Sequence, residues 1–194
     1  MHNLTRIILF SFVFSLIFSS CKKDETDEIV KNSHHWHLDD YTEGSTKAFQ
    51  NGFVADEEAV VVLGRLDASY IVKNVSFFFG GSASTETVTL KIYRDKENGD
   101  EFPGELLYSG DFALTANDNV MQTLDISGEN VTVANGGSIR VGVRFSHSGA
   151  PSVARDSKMD NSTKNLINQN GFWVTSASWN IDGDWIIRAE VQEL

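Results

Sequence analysis

Ile139-Arg140-Val141-Gly142-Val143-Arg144-Phe145 is the stretch whose reading decides the fold. Its apolar residues recur at every second position, with Arg140 and Arg144 on the other parity. A period of two, not 3.6, predicts a half-buried strand with both arginines outward. The same grammar extends in both directions. Val75, Phe77 and Phe79 share one face of Val75-Ser76-Phe77-Phe78-Phe79, as do Val88, Leu90 and Ile92 of Val88-Thr89-Leu90-Lys91-Ile92. Further strands are expected over 59–66, 106–114, 120–126, 172–176 and 185–191. Within 55–66 the run Val60-Val61-Val62-Leu63 is β-branched and lacks helical spacing, which predicts a buried strand. Gly80-Gly81, Asn98-Gly99, Pro103-Gly104, Asn135-Gly136-Gly137 and Asp182-Gly183 supply the turn chemistry between strands. Many short strands without an amphipathic helix predict an all-β chain folded as an antiparallel β-sandwich.

The amino-terminal part follows a different logic. Arg6 precedes an apolar run over 7–18, and Ser19-Ser20 stands before Cys21, the only cysteine. A basic start, an apolar middle and a small-residue junction form a secretory signal peptide. The run is shorter than the roughly 20 residues a spanning helix needs. With the cysteine at the cut, the segment resembles a bacterial lipoprotein signal, which implies that Cys21 is lipidated and becomes the first mature residue. Lys22-Lys23-Asp24-Glu25 resembles the export signal of surface lipoproteins in Bacteroidota-type bacteria. The expected organisation is a signal peptide over 1–20, an acidic flexible tether over 21–33 and one sandwich domain over 34–194. The expected location is the outer membrane, held by the lipid and facing the cell exterior.

Charge and cysteine usage narrow the classes further. The formal net charge is −11, the opposite of the basic balance that nucleic-acid binders show. With Cys21 assigned to the lipid, no internal disulfide is available, so the fold must rest on its apolar core.

The order of five motifs resembles a known family. Trp36-His37-Leu38-Asp39-Asp40, then Val88 to Tyr93, Pro103-Gly104-Glu105-Leu106-Leu107-Tyr108-Ser109, Ile139 to Val143 and Trp185-Ile186-Ile187-Arg188-Ala189 look like the jelly-roll modules of Bacteroidota surface proteins. These are similar to cleaved-adhesin and galactose-binding-like sandwiches. The resemblance implies a jelly roll and a role in binding or adhesion more often than catalysis. Relatives commonly place glycine after the Asp-Asp pair, whereas Tyr41 stands here.

Several polar groups are candidate sites. His34, His35, His37, Asp39 and Asp40 form the densest cluster. On a strand His35, His37 and Asp39 would share a side, as a transition metal could use, but the spacing matches no zinc signature. The favoured reading places these histidines on the surface and Trp36 against the sandwich edge. The carboxylates of 95–101 surround a turn without the register of a calcium loop, and read as a solvated hairpin tip. Asp39, Asp40 and Glu190 are a further calcium set if the chain ends meet, so a structural Ca2+ is the one cofactor considered. Glycan binding asks for exposed rings beside amides and carboxylates. Trp173 and Trp179 flank Thr175-Ser176-Ala177-Ser178, and a long loop expected over 146–171 carries Arg155, Asp156, Asp160 and Asn165. Trp179 is the ring expected to be exposed.

No Gly-x-Ser-x-Gly elbow, His-Glu-x-x-His or phosphate loop is present, although a glycosidase carboxylate pair stays open. The leading expectation is a lipid-anchored, non-catalytic surface module that recognises glycan or a protein partner. The alternative is a structural accessory lipoprotein of an outer-membrane complex, with a metal-dependent or glycoside hydrolase behind both. Cys21→Ala is expected to move the protein out of the membrane fraction while leaving it folded. Retention in the membrane at unchanged mass would contradict lipidation.

Overall fold

The computed structural model describes residues 32–95, 103–158 and 163–194. The leader, Cys21 and all but the end of the tether lie outside the described residues, as does Asp160. Along the chain the strands are β1 (Ser33–Trp36), β2 (Ala48–Phe49), β3 (Glu57–Leu63), β4 (Tyr70–Gly80), β5 (Thr85–Arg94), β6 (Leu106–Thr115) and β7 (Asn117–Asp125). They continue with β8 (Thr132–Val133), β9 (Ile139–Phe145), β10 (Ser152–Arg155), β11 (Asn165–Gln169), β12 (Phe172–Thr175) and β13 (Ile187–Glu193). Two 3-10 turns, Ser127–Glu129 and Ser176–Trp179, complete the regular structure of the described residues.

All pairings are antiparallel and form two sheets. The first runs β1-β13-β4-β10-β2, with β7 and β8 also on β4; the second runs β12-β11-β3-β9-β5-β6. Since Phe77 pairs with both Ile187 and Gln122, β13 and β7 occupy opposite edges of β4. The chain repeatedly crosses between sheets, from β3 to β4 to β5 and from β8 to β9 to β10, which is the winding of a sandwich closed around one core. The predicted sandwich is the fold observed.

Periodicity placed the core correctly. Ile139, Val141, Val143 and Phe145 are fully buried, as are Val75, Phe77, Phe79, Val88, Leu90 and Ile92. The alternation nevertheless misses what covers the outer faces. Phe78 has the wrong parity for the core, yet it is buried with Ala154 and Ile186 in a second cluster packed by Tyr41, Phe49 and Met121. Tyr41 meets Phe78 edge to face at 5.1 Å, and Lys47 Nζ stands 4.6 Å from the Phe78 ring. The chain leading into β2 thus blankets the first sheet, and the Phe77-Phe78-Phe79 run is apolar on both faces because both are covered.

A larger correction concerns 146–171, expected as one loop, which contains β10 and β11. Asn165-Leu166-Ile167-Asn168-Gln169 carries no alternation, and its strand character comes from tertiary contacts. Asn165 is fully buried and uses its amide twice: Nδ2 donates to Asp184 Oδ1 at 2.5 Å, and Oδ1 accepts the Trp185 N–H at 2.9 Å. Asn168 Oδ1 accepts the Gly171 N–H at 2.9 Å and closes the β11–β12 turn.

Beside Asn165 lies a second polar knot. Asp156 Oδ1 accepts the backbone N–H groups of Lys158 and Asp184 at 3.1 and 2.9 Å, and Oδ2 accepts that of Asp40 at 2.8 Å. Gly183 adopts φ +91°, and a Cβ there would collide with the Asp156 carbonyl, so the Asp182-Gly183 turn needs its glycine for conformation and for space. Asn165→Ala removes a donor from buried Asp184 and the acceptor of the buried Trp185 N–H, and is expected to cost roughly 2–4 kcal/mol in urea unfolding. Phe172→Ala, at a side chain left 76 % exposed, should stay within about 0.5 kcal/mol of the parent.

Candidate functional site

The outer face of the second sheet carries a cleft of about 620 Å³, within the range of small-ligand sites. Val62 and Leu166 contribute its apolar part, and β12 supplies Trp173 and Val174. Its polar groups are Asp95, Arg140, Thr163, Lys164, Thr175 and Ser178. The β11–β12 hairpin and the following 3-10 turn therefore provide half of the lining residues, held in place by Asn165 at the start of β11.

Arg140 is the central departure from the sequence reading. It points away from the core as its parity demands, yet it is only 3 % exposed. Arg140 Nε donates to Asp95 Oδ1 at 2.7 Å, and its guanidinium lies 5.5 Å from the centre of the Trp173 ring. Arg144, four residues along on the same face, keeps a 37 % exposed side chain in its pair with Asp56. Asp95, the first residue of the acidic 95–101 stretch, is thus drawn to Arg140 and also accepts from Ser138 Oγ at 3.3 Å. The remainder of that stretch up to position 102 lies outside the described residues.

A buried relay supports Trp173 from behind. The Trp173 ring stands perpendicular to Tyr93 at 5.4 Å. The Tyr93 phenol donates to Glu58, at 3.0 Å from Oε2 and 3.2 Å from Oε1, and Lys91 Nζ lies 2.5 Å from Oε1. Burial, reinforced by the Glu58 charge, pushes the Tyr93 phenol far above the ordinary tyrosine range, so it remains a donor at any physiological pH. Gly142 leaves the room this carboxylate needs: a Cβ there would stand 3.0 Å from Glu58 Oε2 and 3.2 Å from Val60 Cγ2. Lys164 differs from these groups. Its backbone carbonyl accepts from Val62, while its ammonium has no ion pair or hydrogen bond among the described residues.

The structure separates the other expected site residues. Trp179 is 39 % exposed and borders a different, smaller pocket of about 110 Å³. Arg155 pairs with Trp185 in an isolated bridge and donates through Nη1 to the Asp182 carbonyl. Asp156 and Asn165 spend their polar atoms inside the fold, as described above. Asp39, Asp40 and Glu190 do not assemble into a calcium set. Arg188 grips Asp39, with Nη2 at 2.5 Å from Oδ1 and Nε at 3.2 Å from Oδ2; Lys158 Nζ stands 3.7 Å from Asp40; and Asn74 donates to Glu190 at 2.8 Å. Asp39 is buried while His35 and His37 are exposed. His34 bonds Glu193 at 2.9 Å and the His37 Nδ1–H donates to the Asp39 carbonyl at 2.8 Å. No three His, Cys, Asp or Glu side chains converge as a metal set among the described residues. Trp36 packs on the core, edge to face with Tyr70 at 4.6 Å.

Sequence reasoning missed Arg140, Asp95 and Lys164. Strand parity marked Arg140 as facing outward but could not show that β12 folds over it. The two arginines of β9 should separate in unfolding experiments. Arg140→Met leaves a nearly buried Asp95 without its partner and is expected to cost roughly 3 kcal/mol. Arg144→Met, at an exposed pair, is expected to cost under about 1 kcal/mol.

No family model matches the chain, and no curated protein matches it. Among solved structures it is similar to the cysteine protease and lectin-like domains of Cwp84, a surface layer associated protein of Clostridium difficile. That likeness has a TM-score of 0.58 at 13 % identity and covers 84 % of this chain but only 36 % of the other. At this identity it supports the β-sandwich fold.

Proposed function

We propose that the protein is a non-catalytic carbohydrate-binding module displayed at the cell surface, with its ligand in the Trp173 cleft. The observation that carries the reading is the placement of one partly exposed indole beside Arg140, Asp95, Lys164 and the hydroxyls of Thr163, Thr175 and Ser178. A ring offers a face for the apolar side of a sugar, while fixed ionic and hydroxyl groups bond its hydroxyls. The buried Glu58–Tyr93 pair and the Arg140–Asp95 pair hold that ring and that fork before any ligand arrives, which lowers the ordering cost of binding. Hydrolysis of a glycoside by the usual route needs two acidic side chains across the bond. Asp95 is the single acid among the described residues lining this cleft, and it is tied to Arg140.

The lectin-like part of the structural neighbour and its surface-layer association are in keeping with this reading. Lipid attachment at Cys21 and outer-membrane display remain part of the proposal. A glycan array probed with the mature chain is expected to show selective binding that Lys164→Ala weakens at least about threefold and Trp173→Ala at least about fivefold, since stacking and charged hydrogen bonds each contribute about 1 kcal/mol or more. Binding unaffected by both variants would place the site elsewhere. The accessory-lipoprotein alternative would be favoured by an array with no selective signal and by co-purification with one outer-membrane partner.

A further inference from the structure

Two consecutive acidic residues open β3, and the fold treats them in opposite ways. Glu58 is 1 % exposed and fully compensated, with Lys91 Nζ at 2.5 Å and the Tyr93 phenol on both oxygens. Glu57, on the other face of the strand, is 2 % exposed and has no cationic partner among the described residues. Its Oε2 accepts the Val54 N–H at 2.8 Å, and its Oε1 has no hydrogen-bond partner among the described residues. Oε1 is not sealed from solvent. A carboxylate withdrawn from water is costly unless a positive charge or several donors meet it. One backbone N–H and the solvent that reaches Oε1 are what this one has, so its charge is left without a cation among the described residues.

The missing charge has a place to sit. Glu57 lines the small pocket of about 110 Å³ together with Gln50, Phe53, Ile167, Trp179 and Ile181. Its volume suits one small polar group rather than a sugar ring. The indole of Trp179, 39 % exposed, is within reach of solvent. A carboxylate beside aromatic rings is the chemistry that recognises an ammonium, through an ion pair on one side and cation–π attraction on the other. A bare divalent metal would want several more oxygen ligands than Glu57 and Gln50 supply.

We propose that this pocket binds the protonated primary amine of a ligand, with Glu57 as its counter-ion and Trp179 as its aromatic wall. The site is separate from the Trp173 cleft and stands whether or not that cleft takes a glycan. A primary ammonium can belong to an amino sugar or to a lysine side chain, and the probes distinguish the two.

The test follows the Trp179 indole N–H by NMR in the mature chain during titration with methylammonium chloride, against methanol and sodium chloride as controls. A saturable shift is expected with methylammonium alone. Glu57→Gln keeps an oxygen for the Val54 N–H but removes the charge, and should weaken Kd at least about tenfold. Trp179→Leu, read through the backbone amides of Phe53 and Glu57, should weaken it at least about threefold. Parallel titrations with glucosamine and with Nα-acetyl-lysine amide identify the source by the tighter binder, and N-acetylglucosamine should not bind this pocket. No saturable shift with methylammonium, an equal shift with methanol, or an unchanged Kd in folded Glu57→Gln would overturn the assignment.

Discussion

The buried amide and carboxylate knot formed by Asp156, Asn165 and Asp184 is the interaction on which the rest of the sandwich depends. It lies where the two sheets must be joined without a disulfide. Asn165 begins β11 in the second sheet, and through the Trp185 N–H and the Asp184 carboxylate it holds the approach to β13 in the first. Asp156 follows β10 and gathers the Asp40 and Asp184 amides. Trp185, the bulkiest fully buried side chain, donates its Nε1–H to the Leu166 carbonyl at 3.2 Å and packs 5.7 Å from Phe53. Polar groups this deeply buried stabilise only when all of their bonds are made, and they specify one arrangement when they are.

The outer faces of the two sheets explain where a ligand could be held. A sandwich normally leaves both outer faces to solvent, with polar side chains on them. Here each is partly roofed, the first by the Tyr41 to Phe49 segment around Phe78 and the second by β12 around Arg140. The two roofs differ in chemistry. Tyr41, Phe49 and Met121 make an apolar cover, whereas Trp173 covers a guanidinium and leaves a concavity lined by ionic and hydroxyl groups beside it. Closure of the first face and opening of the second follow from that difference.

Rigidity in the cleft comes from ion pairs that are themselves enclosed. Arg140 with Asp95, and Glu58 with Lys91 and Tyr93, lie on the same outer face and meet through the Trp173 and Tyr93 rings. Each pair satisfies charges that the overlying hairpin takes from water, so the hairpin and the pairs stabilise one another. Such coupling makes the arrangement cooperative: loss of one member exposes an unpaired charge on the next.

The sequence by itself determined the strand grammar, the core and the sandwich. Val75, Phe77, Phe79, Val88, Leu90, Ile92 and the β9 residues could be assigned to the interior because a pleated strand with one buried face has an unmistakable period of two. It also brought Trp173 and Trp179 forward as rings worth testing. Only the tertiary structure decided that β11 is a strand, since Asn165 and Asn168 owe their place to bonds with residues distant or across a turn and not to any local pattern. Only it decided that Arg140 is enclosed while Arg144 stays out, that Asp39 belongs to Arg188, and that Glu57 lacks, among the described residues, the cation Glu58 possesses. Parity tells which side of a strand a residue faces; whether that side meets water or another segment depends on where the rest of the chain goes.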